Sequence, residues 1–398
     1  MRSIAMTTST TRTRTRRITS TLVLAATTVT LASCTLTGGG GGEDEPTGST
    51  EAADPGPTGS DDTADAGDET AAAPTPADTG TVVLTAHDSF TLPDDLVSAF
   101  ETDTGYDLEI QLAGDAGQMA NQVVLTAGNP TADVVFGIDT TFASRVVAAE
   151  ALEAYRPDAL PESATEHDLT EGGEAYLTPV DYGDVCVNID TAWFANEGIE
   201  PPETLTDLTE EQYEDLFVTP GASTSSPGMA FLLATIGEFG PGEWQGYWSD
   251  LMANGTKVTS GWTDAYTVDF TAGGGDGDRP IVLSYASSPP FTIPEGGVEP
   301  TTRALLDTCF RQVEYAGVLA GTDNPEGAQA VVDWLVSPAV QAAIPDAMYV
   351  FPVDDEVELP ELWAQWAQVA EDPIVVAPGQ IEAERETWLR EWADIATG

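Results

Sequence analysis

The chain has 398 residues, of which 41% are hydrophobic and 20% charged, so it can form one or two globular domains with a substantial core. It carries 67 Asp and Glu against 13 Lys and Arg, a formal net charge of −54, and five of its basic residues lie within the first 17 positions. So acidic a surface repels phosphate backbones and anionic lipid headgroups, which excludes nucleic acid as a partner.

The N-terminal segment has the pattern of a bacterial lipoprotein signal. After the Arg-rich start comes an apolar, Thr-rich run, Ile18–Ser33, which is too short to span a membrane and typical of a signal-peptide core. It ends in Leu31-Ala32-Ser33-Cys34, which resembles a lipobox, in which the cysteine becomes the lipidated first residue. We therefore expect residues 1–33 to be removed and Cys34 to anchor the protein at the outer face of the cell membrane; an unmodified cysteine is the alternative.

Residues 34–80 have no apolar periodicity and consist mainly of Gly, Pro, Ser, Thr, Ala and acidic residues. Such a segment cannot bury enough apolar surface to offset its ordering entropy. We predict an acidic, disordered tether between the lipidated cysteine and a folded body.

From residue 81 onward, short apolar runs alternate with amphipathic stretches. The first elements are predicted as strand 82–86, helix 94–102, strand 107–112, helix 117–126 and strand 133–137. This order is typical of an α/β parallel sheet with binding sites at the carboxyl ends of its strands.

The second part of the body has the same character. A long extended run, 176–190, is broken at Asp181-Tyr182-Gly183, where Gly183 suits a crossing between two lobes. The later predicted elements are helix 229–236, strand 280–285, an extended return at 311–320, helix 325–336 and an amphipathic helix 381–396.

Little in the body points to catalysis. There are two histidines, His87 and His167, no C-x-x-C and no G-x-S-x-G, and no P-loop or dinucleotide-binding glycine motif follows a strand. We predict a protein that is not an enzyme and has no metal or cofactor, although two of the 67 acidic residues could still form a glycosidase-like pair.

Three segments have residues suited to a ligand. Ser225–Gly228 (SSPG) combines a hydroxyl N-cap with an early proline, which leaves backbone N–H groups free to bind an anion, or merely caps the helix. Gly261–Tyr266 and Ser284–Pro289 pair aromatic rings with small polar groups, which suits a flat or cationic ligand, although such rings are often core residues.

With these segments in view, the body resembles the thiamine-binding substrate-binding proteins of ABC importers over nearly all of residues 81–396. Eight segments in the same order and at comparable spacing carry the resemblance. They are His87–Phe90 (HDSF), Ala132–Asp139 (ADVVFGID), Val180–Gly183 (VDYG), Ser225–Gly228 (SSPG), Gly261–Tyr266 (GWTDAY), Val282–Pro289 (VLSYASSP), Val336–Pro345 (VSPAVQAAIP) and Phe351–Val353 (FPV).

The resemblance implies an α/β, two-lobe type II periplasmic-binding-protein fold with the ligand cleft between the lobes. Lobe 1 is expected to comprise residues 81–182 and 312–352, and lobe 2 residues 183–311 and 353–398. The implied function is that of a monomeric, exported binding lipoprotein that captures thiamine or a thiamine phosphate and delivers it to an ABC permease. The alternatives are another small solute, such as ferric iron, a polyamine or an organophosphate, or, less in keeping with the motifs, a secreted hydrolase or a structural surface protein.

The resemblance also implies a set of ligand contacts. They are Asp115, Ala116, Ser225, Ser226, Trp262, Tyr285, Ala286, Ser287 and Ser288, with Asp88, Tyr182 and Tyr349 as further cleft residues. The aromatic rings would face the ligand rings and the thiazolium charge, the Asp115 carboxylate would bind the aminopyrimidine, and the serines would hold the hydroxyethyl or phosphate end.

Some positions depart from the family pattern. His87 stands where the family usually has Tyr, Ala116 where it has Gly, Phe291 where it has Tyr, and Tyr349 where it has Trp, while Gly273–Asp278 resembles an insertion. If the chain crosses between the lobes at 181–187 and returns at 309–315, Cys186 and Cys309 lie on adjacent strands, and we predict a disulfide between them.

Overall fold

The computed structural model of the protein describes residues 79–169 and 173–398. The predicted signal peptide, the Cys34 lipidation site and almost the whole tether lie outside the described residues. In chain order the strands are β1 Gly80–Ala86, β2 Tyr106–Leu112, β3 Val134–Asp139, β4 Leu152–Glu153, β5 Thr178–Asp190, β6 Phe217–Pro220, β7 Lys257–Thr259, β8 Ile281–Tyr285, β9 Thr302–Ala304, β10 Phe310–Leu319 and β11 Phe351–Pro352.

The helices alternate with these strands along most of the body. They are α1 Asp94–Thr104, α2 Ala116–Leu125, α3 Ala143–Ala148, α4 Thr191–Glu197, α5 Ser226–Phe239, α6 Trp244–Ala253, α7 Pro325–Leu335, α8 Pro338–Met348, α9 Glu361–Trp366 and α10 Pro378–Ala396. A π-helical turn, Asp264–Asp269, follows β7.

The strands form one mixed sheet in the order β2-β1-β3-β10-β5-β8-β6-β7, with β4, β9 and β11 paired outside this path. The predicted parallel arrangement is confirmed for β1, β2 and β3. It is wrong for the sheet as a whole, because β10 and β5 run antiparallel to each other and to their outer neighbours β3 and β8. The reason is topological: these two long strands carry the chain across the middle of the sheet in opposite directions.

Two hydrophobic clusters account for most of the core, in keeping with the two-lobe architecture. One packs β1 and its neighbours against α7 and α8, with Leu84 and Val331 fully buried. The larger cluster contains α5, α6 and α10, and it buries Trp244 and Trp248. The lobe boundaries given above stay a prediction.

Strand β5 runs unbroken through Asp181-Tyr182-Gly183, so the predicted interruption is wrong. Gly183 serves a different purpose: a Cβ there would lie 2.8 Å from Cδ1 of Tyr285, so the missing side chain makes room for that ring. The β5–β10 ladder has its irregularity just before this segment: Glu314 pairs with Asp181 and Tyr315 with Pro179, so Val180 of β5 is the extra residue. Beside this pair of strands, Cys186 and Cys309 are joined by the disulfide that the resemblance implies, with their Cα atoms 4.2 Å apart.

Candidate ligand-binding site

A cavity of about 310 Å³ opens above the central strands, and the segments that line it are far apart in sequence. They comprise the turn after β1, the starts of α2 and α5, the π-helical turn and the residues just before it, the end of β8 and the turn that follows it, the middle of β10 and the end of α8. The lining residues are His87–Ser89, Asp115, Ala116, Ser226, Pro227, Trp262, Thr263, Tyr266, Thr267, Tyr285, Ser288, Phe291, Glu314 and Ala347–Val350.

His87 and Glu314 form the polar floor of this cavity, with 3.6 Å between Nε2 of the histidine and Oε1 of the glutamate. The ring of His87 lies against Gly137, where a Cβ would come within 2.3 Å of its Cδ2 atom and where φ is +94°. Glycine is thus required at position 137 on two counts, its backbone angle and the space for the ring.

The ionisable groups at the floor of the cavity shift one another's pKa values. Burial alone would lower the pKa of His87, but the charge of Glu314 raises it overall. Burial would likewise raise the pKa of Glu314, but His87 and a hydrogen bond from Asp181 lower it. Asp181 faces Glu314 across the β5–β10 ladder, and burial next to that charge raises its pKa well above the usual range. These shifts act together: they favour a negative charge on Glu314, a positive charge on His87 and the uncharged form of Asp181.

Asp115 connects the start of α2 to two other cavity segments. Its Oδ1 accepts the backbone N–H of Ser226 at 3.0 Å and its Oδ2 accepts that of Trp262 at 2.9 Å. Burial raises the pKa of Asp115 even though both of these hydrogen bonds oppose the shift. Because the N–H of Ser226 belongs to the first turn of α5, its hydrogen bond to Asp115 places a carboxylate from another segment at the positive end of this helix.

The start of α5 is further tied down by its own serines. Ser225 is the N-cap, and its hydroxyl accepts the N–H of Gly228 at 3.4 Å. The hydroxyl of Ser226 donates to the carboxylate of Asp139, which also accepts the N–H and the hydroxyl of Thr141. Burial raises the pKa of Asp139 to about 6 against these hydrogen bonds.

Aromatic rings form one wall of the cavity. Trp262 stacks on Tyr266 with 5.0 Å between ring centroids, and its indole N–H donates to the hydroxyl of Ser284 at 3.0 Å. Phe291 meets Tyr349 edge to face at 5.5 Å. Tyr349 adopts a left-handed backbone with φ of 57°, a strained conformation for tyrosine that places this ring at the end of α8.

The structure brings most of the sequence-predicted contacts to the cavity wall. Those that line it are Asp88, Asp115, Ala116, Ser226, Trp262, Tyr285, Ser288 and Tyr349. The other four predicted contacts lie behind the cavity wall or away from it. Ser225 caps α5, Ser287 donates to the carbonyl of Tyr349 at 2.6 Å, Ala286 packs beside the disulfide, and Tyr182 stacks between His167 and Phe351.

Sequence reasoning missed Glu314 as a cavity residue. The one available signal was a second charged residue in a mostly apolar run predicted to return through the sheet, Arg311–Ala320. The loop Gly273–Asp278 does not reach the cavity lining.

No group of three or more His, Cys, Asp and Glu side chains within residues 79–169 and 173–398 is arranged to hold a metal ion. Over the same ranges, no helix has both the length and the apolar character needed to cross a membrane.

Comparison with known proteins agrees with this architecture. The sequence profile of the bacterial extracellular solute-binding protein family matches residues 87–342. The chain is 30% identical over 300 residues to a thiamine-binding periplasmic protein of Salmonella typhimurium, covering 74% of the chain and 85% of the relative. It is 29% identical over 298 residues to the protein of the same description from Escherichia coli, with the same coverage. A solved periplasmic thiamin binding protein superimposes with a TM-score of 0.69 at 26% identity, covering 81% of this chain and 98% of that structure.

Proposed function

Because the chain belongs to the bacterial extracellular solute-binding proteins, we propose that it captures thiamine or a phosphate ester of thiamine and delivers it to an ABC permease. The observation that carries the proposal is the composition of the cavity wall. One side is aromatic, and the lining as a whole has three carboxylates, those of Asp88, Asp115 and Glu314, against the single imidazole of His87, a combination that suits a small, flat cation. The relatives described above are thiamine-binding proteins, which supports the same ligand class.

Each group of cavity residues has a role in this proposal. The rings of Trp262, Tyr285 and Tyr349 face the heterocycles and the positive thiazolium, since aromatic faces attract cations. Asp115, whose two oxygens each accept one backbone N–H, keeps lone pairs for the amino group of the pyrimidine. The hydroxyl of Ser288 lies near the hydroxyethyl end of the ligand. No chemical step is involved: the lobes close on the ligand, and the closed form is what the permease recognises.

The anchoring of the protein is part of the same proposal. Lipidation of Cys34 would hold a monomeric binding protein at the outer face of the cell membrane, and the acidic tether would let the body reach the permease. In the producing cell, wild-type protein is expected in the membrane fraction and a Cys34→Ser variant in the soluble exported fraction. A variant that stayed with the membrane would contradict lipidation at this residue.

Calorimetric titration of the full chain with thiamine, thiamine monophosphate and thiamine diphosphate tests the ligand. We expect saturable binding that Trp262→Ala weakens by about 10- to 100-fold, since the variant loses ring stacking and cation–π attraction. Trp193→Ala is the matched control, because Trp193 packs edge-on against Phe194 outside the cavity. Absence of binding with all three compounds would remove thiamine as the ligand.

A further inference from the structure

We propose that the glycine loop, Gly273–Asp278, is a positioning element that fixes the aromatic wall of the cavity from behind. The loop does not line the cavity, yet it packs against the π-helical turn that carries Tyr266 and follows Trp262. The inference rests on the proposed function for its binding test alone, because the position of the two rings can also be measured without a ligand.

Two glycines of the loop lie directly against the backbone of the π-helical turn. A Cβ on Gly273 would overlap the carbonyl oxygen of Tyr266, and a Cβ on Gly275 would lie 2.5 Å from the carbonyl oxygen of Thr267. Carbon atoms in ordinary van der Waals contact are about 3.5–4.0 Å from their neighbours. A larger residue therefore fits at either position only if the loop and the turn move apart.

Contact, and not backbone conformation, is what requires glycine at these two positions. Neither Gly273 nor Gly275 has a positive φ, so an L-residue could adopt their backbone angles. Between them, Gly274 has the opposite character: its φ is +93°, and a Cβ there would meet nothing within 4 Å. The alternation turns a Cα hydrogen toward the turn at every second residue, which suits a Cα–H···O contact to each of the two carbonyls.

Backbone hydrogen bonds join the two ends of the loop at the point where the turn ends. The N–H of Arg279 donates to the carbonyl of Asp269 at 3.0 Å, and the N–H of Thr271 donates to the carbonyl of Arg279 at 3.1 Å. Side chains hold the same stem, since Nζ of Lys257 lies 2.6 Å from Oδ1 of Asp269 and the guanidinium of Arg279 donates to the carbonyl of Gly255 at 2.9 Å. A loop closed at its stem in this way has little freedom to move away from the turn.

The π-helical turn sets the position of the rings on the cavity wall. Its wide hydrogen bond, from the N–H of Phe270 to the carbonyl of Ala265 at 3.0 Å, adds one residue to the helical turn. Tyr266 lies within this turn, is only 3% exposed, and stacks on the ring of Trp262. A binding site must hold such groups to within about 0.5 Å of their working position. Displacement of the turn by the loop would therefore move this ring pair relative to the ligand.

The experiment measures thiamine affinity by calorimetry in full-length wild-type protein and in the Gly273→Ala, Gly275→Ala and Gly274→Ala variants. The first two substitutions place a methyl group against the turn and should weaken binding by about tenfold, the loss expected when a stacked aromatic pair is displaced. Gly274→Ala strains the same loop without touching the turn and should change the affinity by less than about twofold. Added to Trp262→Ala, Gly273→Ala should weaken binding by less than about threefold, because one of the rings through which it acts is already absent.

Near-ultraviolet circular dichroism reports the position of the rings without a ligand. The difference spectrum between each protein and its Trp262→Phe counterpart isolates the contribution of Trp262, which depends on its stacking against Tyr266. This difference should change in Gly273→Ala and in Gly275→Ala, and it should stay as in the wild type in Gly274→Ala.

The outcomes separate the role of the loop from the proposed function. Wild-type affinity in both Gly273→Ala and Gly275→Ala, or an equal loss in Gly274→Ala, would overturn the positioning role while thiamine remained the ligand. A loss that persists in full in the Trp262→Ala background would overturn it too, because the loop would then act on the fold and not on the ring pair. If the wild type binds no thiamine, the proposed function fails and the difference spectra decide the role of the loop, with unchanged spectra overturning it. If Gly273→Ala does not fold, the exposed position of Gly275 lets Gly275→Ala decide in its place.

Discussion

Removal of the Cys186–Cys309 disulfide should lower the stability of the body sharply without changing its architecture. The bond joins residues 123 apart, so it closes a very long loop in the unfolded chain. The loop-closure relation gives about 5 kcal/mol of stabilisation for a loop of this length. Both cysteines are fully buried, so a Cys186→Ala/Cys309→Ala variant also loses some packing against Ala286 and Ala304.

Urea unfolding followed by tryptophan fluorescence measures this effect. The double variant should unfold at a much lower urea concentration than the oxidised wild type. Its m-value should be larger, because an unfolded chain without the cross-link exposes more surface. The folded structure should persist, since the backbone ladder between β5 and β10 does not depend on the sulfur atoms.

Wild-type protein treated with a reductant after unfolding is the internal control and should match the double variant. A loss of less than about 1 kcal/mol would refute the reasoning, because it would mean that the cross-link does not constrain the unfolded chain as the loop-closure relation requires. An unchanged m-value would point to the same conclusion.

Three further substitutions address the site. Gly137→Ala should destabilise the protein by about 2–4 kcal/mol in thermal unfolding, since its Cβ would press into the ring of His87 at positive φ. Gly128→Ala is the control, because Gly128 also has a positive φ, +77°, but lies in open space. Equal destabilisation by the two substitutions would contradict the contact between residue 137 and the His87 ring. Asp115→Asn should lower the free energy of unfolding by about 2 kcal/mol in urea, because the side-chain amide N–H would then face one of the two backbone N–H groups that the carboxylate binds. Unchanged stability would show that these two hydrogen bonds contribute nothing. The pKa of Asp139 is raised from 3.8 to about 6 on folding, so its proton stabilises the folded state below pH 3.8, and about 3 kcal/mol of that contribution is lost as pH rises through 6. Asp139→Asn should therefore flatten the decline in unfolding free energy from pH 4 to 7, and an unaltered slope would rule out the raised pKa.

Local sequence patterns determined the elements that this protein would form. The short apolar run of β1 and the amphipathic period of α7 predicted both elements to within two residues. The Ser-Ser-Pro-Gly motif predicted the start of α5, since a hydroxyl N-cap and an early proline act within a single helical turn. The resemblance to thiamine-binding proteins likewise rested on short motifs, and it identified the family.

Only the tertiary structure decided how these elements combine into a site. Asp115 and Ser226 are 111 residues apart, and no local pattern indicates that the carboxylate of one faces the backbone N–H of the other. Glu314 reaches the cavity because β10 runs antiparallel between β3 and β5, an arrangement set by the path of the whole chain. The same path turns Tyr182 away from the cavity and stacks it on His167. Propensities and caps act over a few residues and can be read in order along the chain, whereas charge pairs and shared hydrogen bonds depend on which distant segments the fold brings within about 3 Å.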